Sequence, residues 1–403
     1  MALPQTFSTV EALLRLRRLR AFLARRRALV RNVLIVAGLL IAARLLRALV
    51  PPEWVRVVRI GLLASLAVYA AVLVPRLRNI ATTVASVLLC LAAVEAYAVS
   101  QMPTTGGIWA QGLMSARPVL GWGPAHPGVF RHASIHRSGR VIFDVDYTID
   151  EHLNRRVVSA PDGPAIAFFG DSFTFGFGLP DADTLPQAFA DLTGRRIRVL
   201  NFGMIAYGPH QFLRALETGL YDELLHPSRL FVFETAAWSA QRSACKFRNR
   251  PPQSPEPRYR LVDGAPKFAG TCSPWWSGMA RALFTGSETY WRFVAPLFHS
   301  TSPADVDLYV AILVRAGQLA RERYGVPTAI LYLPYPDDAK RAGTTDAEII
   351  RRLRDGGLLV IDGTLDPGAF PGQPLTIPGD GHPTAIANRA RALLVRDTLE
   401  TLP

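Results

Sequence analysis

Ser172 stands at the end of Ala165-Ile166-Ala167-Phe168-Phe169-Gly170-Asp171-Ser172. Five apolar residues in a row predict a buried strand. Ligands of open α/β sheets sit at the carboxyl ends of their strands. A serine on a tight turn there is placed as a nucleophile, which needs a base, and the base needs an orienting group. The chain offers both in Gly379-Asp380-Gly381-His382-Pro383-Thr384. His382 is the candidate base and Asp380 its partner, although a spacing of two does not by itself prove their contact. A blander reading has Asp380 or Thr384 capping the last helix and His382 at the surface. The Gly170-Asp171-Ser172 turn tips the balance toward acyl chemistry, by hydrolysis or transfer. The remaining histidines show no metal-ligand spacing. No phosphate-cradling or dinucleotide fingerprint is present.

The elements that must position these groups follow from periodicity. Apolar runs predict strands at 165–169, 196–202, 229–235, 327–333 and 357–361, alternating with helices at 184–193, 209–225, 304–324, 345–355 and 383–399. That alternation predicts an α/β fold with a parallel sheet covered on both faces. A Gly-, Pro- and His-rich lead-in at 103–160 reads as short strands. An insertion at 239–302, rich in Pro, Trp and Arg, follows the third strand, where insertions often shape a substrate site.

Gly-Asp-Ser at the first strand, Asn201-Phe202-Gly203 after the second, and Asp380-Gly381-His382-Pro383 before the last helix resemble the SGNH (GDSL-type) hydrolases. The resemblance covers about residues 115–400. It implies a flavodoxin-like three-layer α/β/α domain over 161–403, esterase or acyltransferase activity, and no metal or organic cofactor. It also implies that Ser172 is the nucleophile and first oxyanion donor, with His382 and Asp380 completing the triad. The family's oxyanion glycine matches Ala206, whose N–H serves if its φ is negative, with Gly203 as the alternative. The third block departs from the family. Where Gly-x-Asn-Asp is usual, this chain has Ala236-Ala237-Trp238-Ser239-Ala240-Gln241-Arg242. Trp238, Gln241 or Arg242 would have to replace the asparagine donor, whose loss can cost about 3 kcal/mol. Tyr207–Gln211 is similar to a stretch in a bacterial subgroup that also carries an arginine at its third block. Asp171, Trp238, Arg242 and His210 are the secondary candidates; His210 faces the site or is a locally bonded helix residue.

The 403 residues carry a net charge of +13, but not evenly. Positions 1–102 hold fourteen arginines against three acids, which leaves about +2 for the rest. That removes the main support for a nucleic-acid partner. Three apolar stretches are present, at 32–50, 57–74 and 80–99. Each approaches the length of a membrane span, ~20 residues. Eight arginines precede the first and Arg76 and Arg78 follow the second. Their placement predicts an inner-membrane, multi-pass protein with a cytoplasmic N-terminus. Residues 103–403 would then lie in the periplasm or outside the cell. Cys245 and Cys272, 27 positions apart, would pair in such a compartment or remain unrelated thiols. Cys90 reads as an apolar filler. Three readings compete: an enzyme acting on acylated glycans, lipids or small molecules of the envelope, a non-catalytic binding or assembly module, and a membrane protein whose exported part only contacts partners.

Overall fold

The structure is a computed structural model that describes residues 51–102, 104–246, 255–272, 286–298 and 300–401, with scattered positions between 15 and 50. The chain forms two compact units, Met1–Gln101 and Met102–Pro403.

In the first unit, α1 (Val55–Leu73) and α2 (Arg78–Ser100) are separate helices. Two helical stretches, Val55–Leu73 and Pro75–Ser100, are long and apolar enough to cross a membrane. They fall on the second and third expected spans. The first expected span, 32–50, lies partly outside the described residues. Arg56 and Glu95 approach to 3.9 Å between α1 and α2. The pair places an acidic side chain of α2 opposite a basic one of α1.

The second unit opens with small antiparallel strands. Strands β1 (Thr104–Ile108), β4 (Gly128–His136) and β5 (Val141–Ile149) form one sheet in the order β1-β4-β5, and β2 (Ser115–Arg117) pairs with β3 (Gly121–Gly123). The five parallel strands are β6 (Ala165–Phe169), β7 (Arg198–Asn201), β8 (Ser228–Thr235), β11 (Thr328–Tyr332) and β12 (Leu359–Asp362), in the order β12-β11-β8-β6-β7. All five strand expectations hold to within two residues. β6 is buried at every position, as a strand covered on both faces must be.

Helices cover both faces. Apolar side chains of α5 (Pro209–Thr218), α8 (Pro303–Tyr324) and α10 (Asp346–Asp355) share one core with Phe169, Phe231 and Phe233. Side chains of α4 (Leu185–Leu192) and α11 (Ala385–Glu400) share the other with Ile166, Phe168 and Val232. Short helices α3 (Ser172–Phe175), α6 (Asp222–Leu225), α7 (Ser239–Ser243) and α9 (Pro336–Arg341) lie between the strands. The expected helix at 209–225 is broken, because Gly219 takes a left-handed φ and ends α5 there. Within the insertion, β9 (Pro257–Val262) and β10 (Ala265–Thr271) form a hairpin. Cys245 and Cys272 form a disulfide with a Cα–Cα distance of 5.5 Å.

Arg155 joins the antiparallel layer to the parallel sheet through bridges to Ile149 and Asn201. Its side chain is buried, with Nε donating to Asp181 at 2.7 Å and Nη2 to the Leu179 carbonyl at 2.9 Å. The guanidinium lies 4.4 Å from the Tyr147 ring centroid and 4.8 Å from that of Phe175. Arg155→Met strands Asp181 and the carbonyls of Phe175, Gly176 and Leu179, so it should lower stability by about 3–5 kcal/mol, read as a fall in denaturation midpoint. Reducing the disulfide opens a loop of 27 residues. The expected loss is about 3–4 kcal/mol on the chain-entropy argument, read by melting with and without reductant.

Candidate active site

The turn after β6 is shaped by sterics. A Cβ on Gly170 would sit 2.2 Å from Thr174 Oγ1. Only glycine therefore lets the chain fold back into α3. Asp171 then caps that helix, as short acidic side chains do. Its Oδ1 accepts the Phe173 N–H at 2.8 Å. Ser172 opens the helix at 7% exposure.

His382 arrives from the far side of the sheet. β12 and β6 are not neighbours, since β11 and β8 lie between them. Reach therefore comes from the long connection 363–384 and not from strand adjacency. The Ile377 N–H donates to the His382 carbonyl at 2.7 Å, closing that loop on itself. His382 Nε2 lies 2.8 Å from Ser172 Oγ, and Nδ1 lies 2.5 Å from Asp380 Oδ1. Asp380 also accepts the His382 backbone N–H at 3.2 Å. The three side chains thus converge into the nucleophile–base–orienter geometry of acyl transfer. The imidazole is flanked by Phe177 and Phe173, with ring centroids at 4.6 and 5.2 Å.

The second block forms a tight turn. Ala206 has a positive φ, so the negative φ on which its role as a donor was conditional is not met. The left-handed region costs a non-glycine residue roughly 1–2 kcal/mol, and the surroundings hold it there. Trp122 Nε1 donates to the Ile205 carbonyl at 2.8 Å, Arg242 Nη1 donates to the Tyr207 carbonyl at 2.8 Å, and the Tyr207 hydroxyl donates to the Trp122 carbonyl. Among the described residues, the Ser172 and Ala206 amides donate no hydrogen bond. Neither amide is therefore committed elsewhere among the described residues. That of Gly203 is: its N–H donates to Asn201 Oδ1 at 2.9 Å. A Cβ at Gly203 would meet the Phe175 nitrogen at 2.5 Å, so this glycine serves close packing.

The third block plays a different part from the one expected. Trp238 Nε1 donates to Asp171 Oδ2 at 2.9 Å, and Arg242 Nη1 bonds the same oxygen. The indole N–H is therefore committed to Asp171 and not available as the missing oxyanion donor. Asp171, Trp238 and Arg242 form a buried brace between the first and third blocks. His210 is buried in the first turn of α5 beside Gly208, and it is not among the hydrogen-bond partners of Ser172 or His382.

Sequence reasoning did not single out Glu234, Thr174 or His132. Glu234 is buried at the end of β8 and accepts the Thr174 hydroxyl at 2.6 Å. The signal was an acid closing an otherwise apolar strand. His132, within the antiparallel layer, is ringed by Trp109, Phe143 and Phe177. Burial pulls its imidazole down to about 4. It is neutral at physiological pH. No group of three or more His, Cys, Asp or Glu side chains could hold a metal ion among the described residues.

No protein-family model matches the chain. No curated protein matches it either. Solved structures to which it is similar are of the GDSL-type hydrolases and related esterases. A member of the lipolytic G-D-S-L family from Veillonella parvula shares 16% identity over 60% of this chain and 100% of its own, with a TM-score of 0.36. An esterase, EstA, from Pseudoalteromonas shares 13% over 59% of this chain and 97% of its own, TM-score 0.34. A carbohydrate acetylesterase family member from Sinorhizobium meliloti shares 16% over 59% and 98%, TM-score 0.33. Likeness at this level adds nothing on activity, which rests on the side-chain geometry above.

Two variants separate the roles of these residues. Asp171→Asn leaves Arg242 buried beside a neutral group and should cost about 3 kcal/mol of stability, whereas Trp238→Phe removes one donor and should cost about 1 kcal/mol. Ala206→Gly relieves the left-handed backbone. Net of glycine's extra unfolded-state entropy, it should leave stability unchanged or raise it by up to about 1 kcal/mol, read as a shift in denaturation midpoint.

Proposed function

We propose that this protein is a membrane-anchored serine esterase or O-acyltransferase acting on ester-linked acyl groups of cell-envelope glycans or lipids. The single observation that carries the reading is the hydrogen-bonded row Ser172 Oγ, His382 Nε2 and Nδ1, Asp380 Oδ1, at 2.8 and 2.5 Å. In it, His382 takes the Ser172 proton as the oxygen attacks an ester carbonyl. Asp380 holds the tautomer that leaves Nε2 free to accept, and it stabilises the imidazolium that forms. The Ser172 and Ala206 amides receive the charge on the former carbonyl oxygen. His382 then protonates the leaving alkoxide. Attack by water on the acyl-enzyme gives hydrolysis, and attack by a sugar hydroxyl gives transfer.

The envelope setting has separate support. The arginine-rich N-terminus and two apolar helices suit an anchor with its N-terminus in the cytoplasm. The Cys245–Cys272 disulfide suits an oxidising compartment. A non-catalytic binding module remains the second reading, favoured by the third block, where tryptophan stands in place of an oxyanion donor. A module that had lost its chemistry would have no need of an assembled triad.

The expected outcome is covalent labelling of the full-length protein by a fluorophosphonate, lost in Ser172→Ala. Asp380→Asn should lower kcat for p-nitrophenyl acetate by about 10²–10⁴ with KM little changed. A folded sample that takes up no probe would sink the enzyme reading and leave the binding module.

A further inference from the structure

Glu234 is a buried charge-bearing group that the triad does not use. It stands at the carboxyl end of β8 at 2% exposure. Its Oε2 accepts the Thr174 hydroxyl at 2.6 Å, while its Oε1 has no hydrogen-bond partner among the described residues. Thr174 is fully buried, two residues after Ser172 in the same helical turn. The Thr174 carbonyl accepts from Asn201 Nδ2 at 3.1 Å, and Asn201 Oδ1 in turn holds the Gly203 N–H at 2.9 Å. One line of contacts therefore runs from Glu234 beneath the nucleophile and into the turn that carries Ala206.

The groups facing Glu234 come from each element packed on it. Arg391 of α11 attracts its negative charge, Asp171 of the nucleophile turn repels it, and the Thr174 hydroxyl of α3 bonds it. The Tyr335 phenol, after β11, feels its charge in return.

We propose that Glu234 is a positioning residue for the reaction proposed above: as a carboxylate it fixes Thr174, and with it both halves of the oxyanion site, and proton uptake by Glu234 loosens them. The inference rests on the serine-hydrolase reading of Ser172. An O–H donated to a carboxylate is roughly twice as strong as a neutral pair. Once protonated, the carboxyl holds the Thr174 hydroxyl only as a neutral pair, and where its own O–H is given to the Thr174 oxygen the threonine hydroxyl is left with the Phe169 carbonyl, 3.5 Å away. That separation is too long for a good bond. Burial holds the Glu234 carboxyl up at about 7 against the pull of Arg391, so the change falls within a working pH range.

The test is the rate of fluorophosphonate labelling of the full-length protein in detergent micelles across the neutral range, for wild type, E234Q and E234L. General-base attack supplies one proton dependence of its own. In the wild type Glu234 adds a second, so log rate against pH should climb with a slope approaching two on the acid side. E234Q, neutral at every pH like the protonated carboxyl, should show a slope near one and an alkaline plateau lowered about tenfold; E234L accepts nothing from Thr174 and should lose at least as much. Equal slopes in wild type and E234Q, or wild-type rates in E234L, would overturn the proposal while leaving the triad intact. No labelling of folded wild type at any pH removes the hydrolase reading and the proposal together, so the two failures are distinct.

A second readout does not need activity. The carboxyl is raised from an ordinary 4.5, so the folded state binds its proton more tightly than the unfolded chain. The stability it contributes is full below about 4.5 and declines as pH rises toward 7. The melting temperature of E234Q relative to wild type should therefore increase over that interval. A constant gap would remove the premise that Glu234 titrates inside the fold.

Discussion

Three loops leave the carboxyl ends of three different strands, and acyl chemistry needs them to meet within a fraction of an ångström. The Asp171 carboxylate enforces that meeting. It caps the helix that begins with Ser172, takes the indole N–H of Trp238, and is neutralised by Arg242. A buried carboxylate without donors would be expelled or protonated. With three donors from two blocks it becomes a junction whose loss moves the nucleophile and the third block together. Arg242 extends the junction by holding the Tyr207 carbonyl, which brings in the second block. Trp238, which stands where an oxyanion donor was expected, is thus a strut.

This arrangement alters the catalytic expectation. In the proposed reading, the oxyanion is left to the Ser172 and Ala206 backbone amides in place of a side-chain donor. Their quality depends on the rigidity of the turns at Ser172 and Ala206. The surrounding hydrogen bonds from Trp122, Tyr207, Asn201 and Thr174 supply that rigidity, and these side chains are buried. A preorganised donor works because it does not reorient when charge appears.

Much of this was legible in the sequence. The strands of the parallel sheet were readable because each is a short apolar run ended by glycine, proline or a polar residue, and burial on both faces permits nothing else. The triad was readable because Gly-Asp-Ser and Asp-x-His-Pro each carry their own turn chemistry. What escaped was long-range. Nothing local in Trp238 or Arg242 says that Asp171 will claim them. Nothing in Gly203 says that its amide will be taken by Asn201. Nothing local in Ala206 says that tertiary contacts will override alanine's preference for negative φ. The β9–β10 hairpin was signalled by Asp263-Gly264, a pair suited to tight turns. Both residues take positive φ, but the proline-rich setting of the insertion obscured the signal.

The left-handed Ala206 also bears on how the protein can change. Every alanine codon becomes a glycine codon by one base substitution, so relief of this strain is a single genetic step away. A lineage or a laboratory selection that rewards thermal robustness therefore has a short route open at the very turn that would receive the reaction's charge. Taking that route exchanges a methyl group for freedom of the backbone.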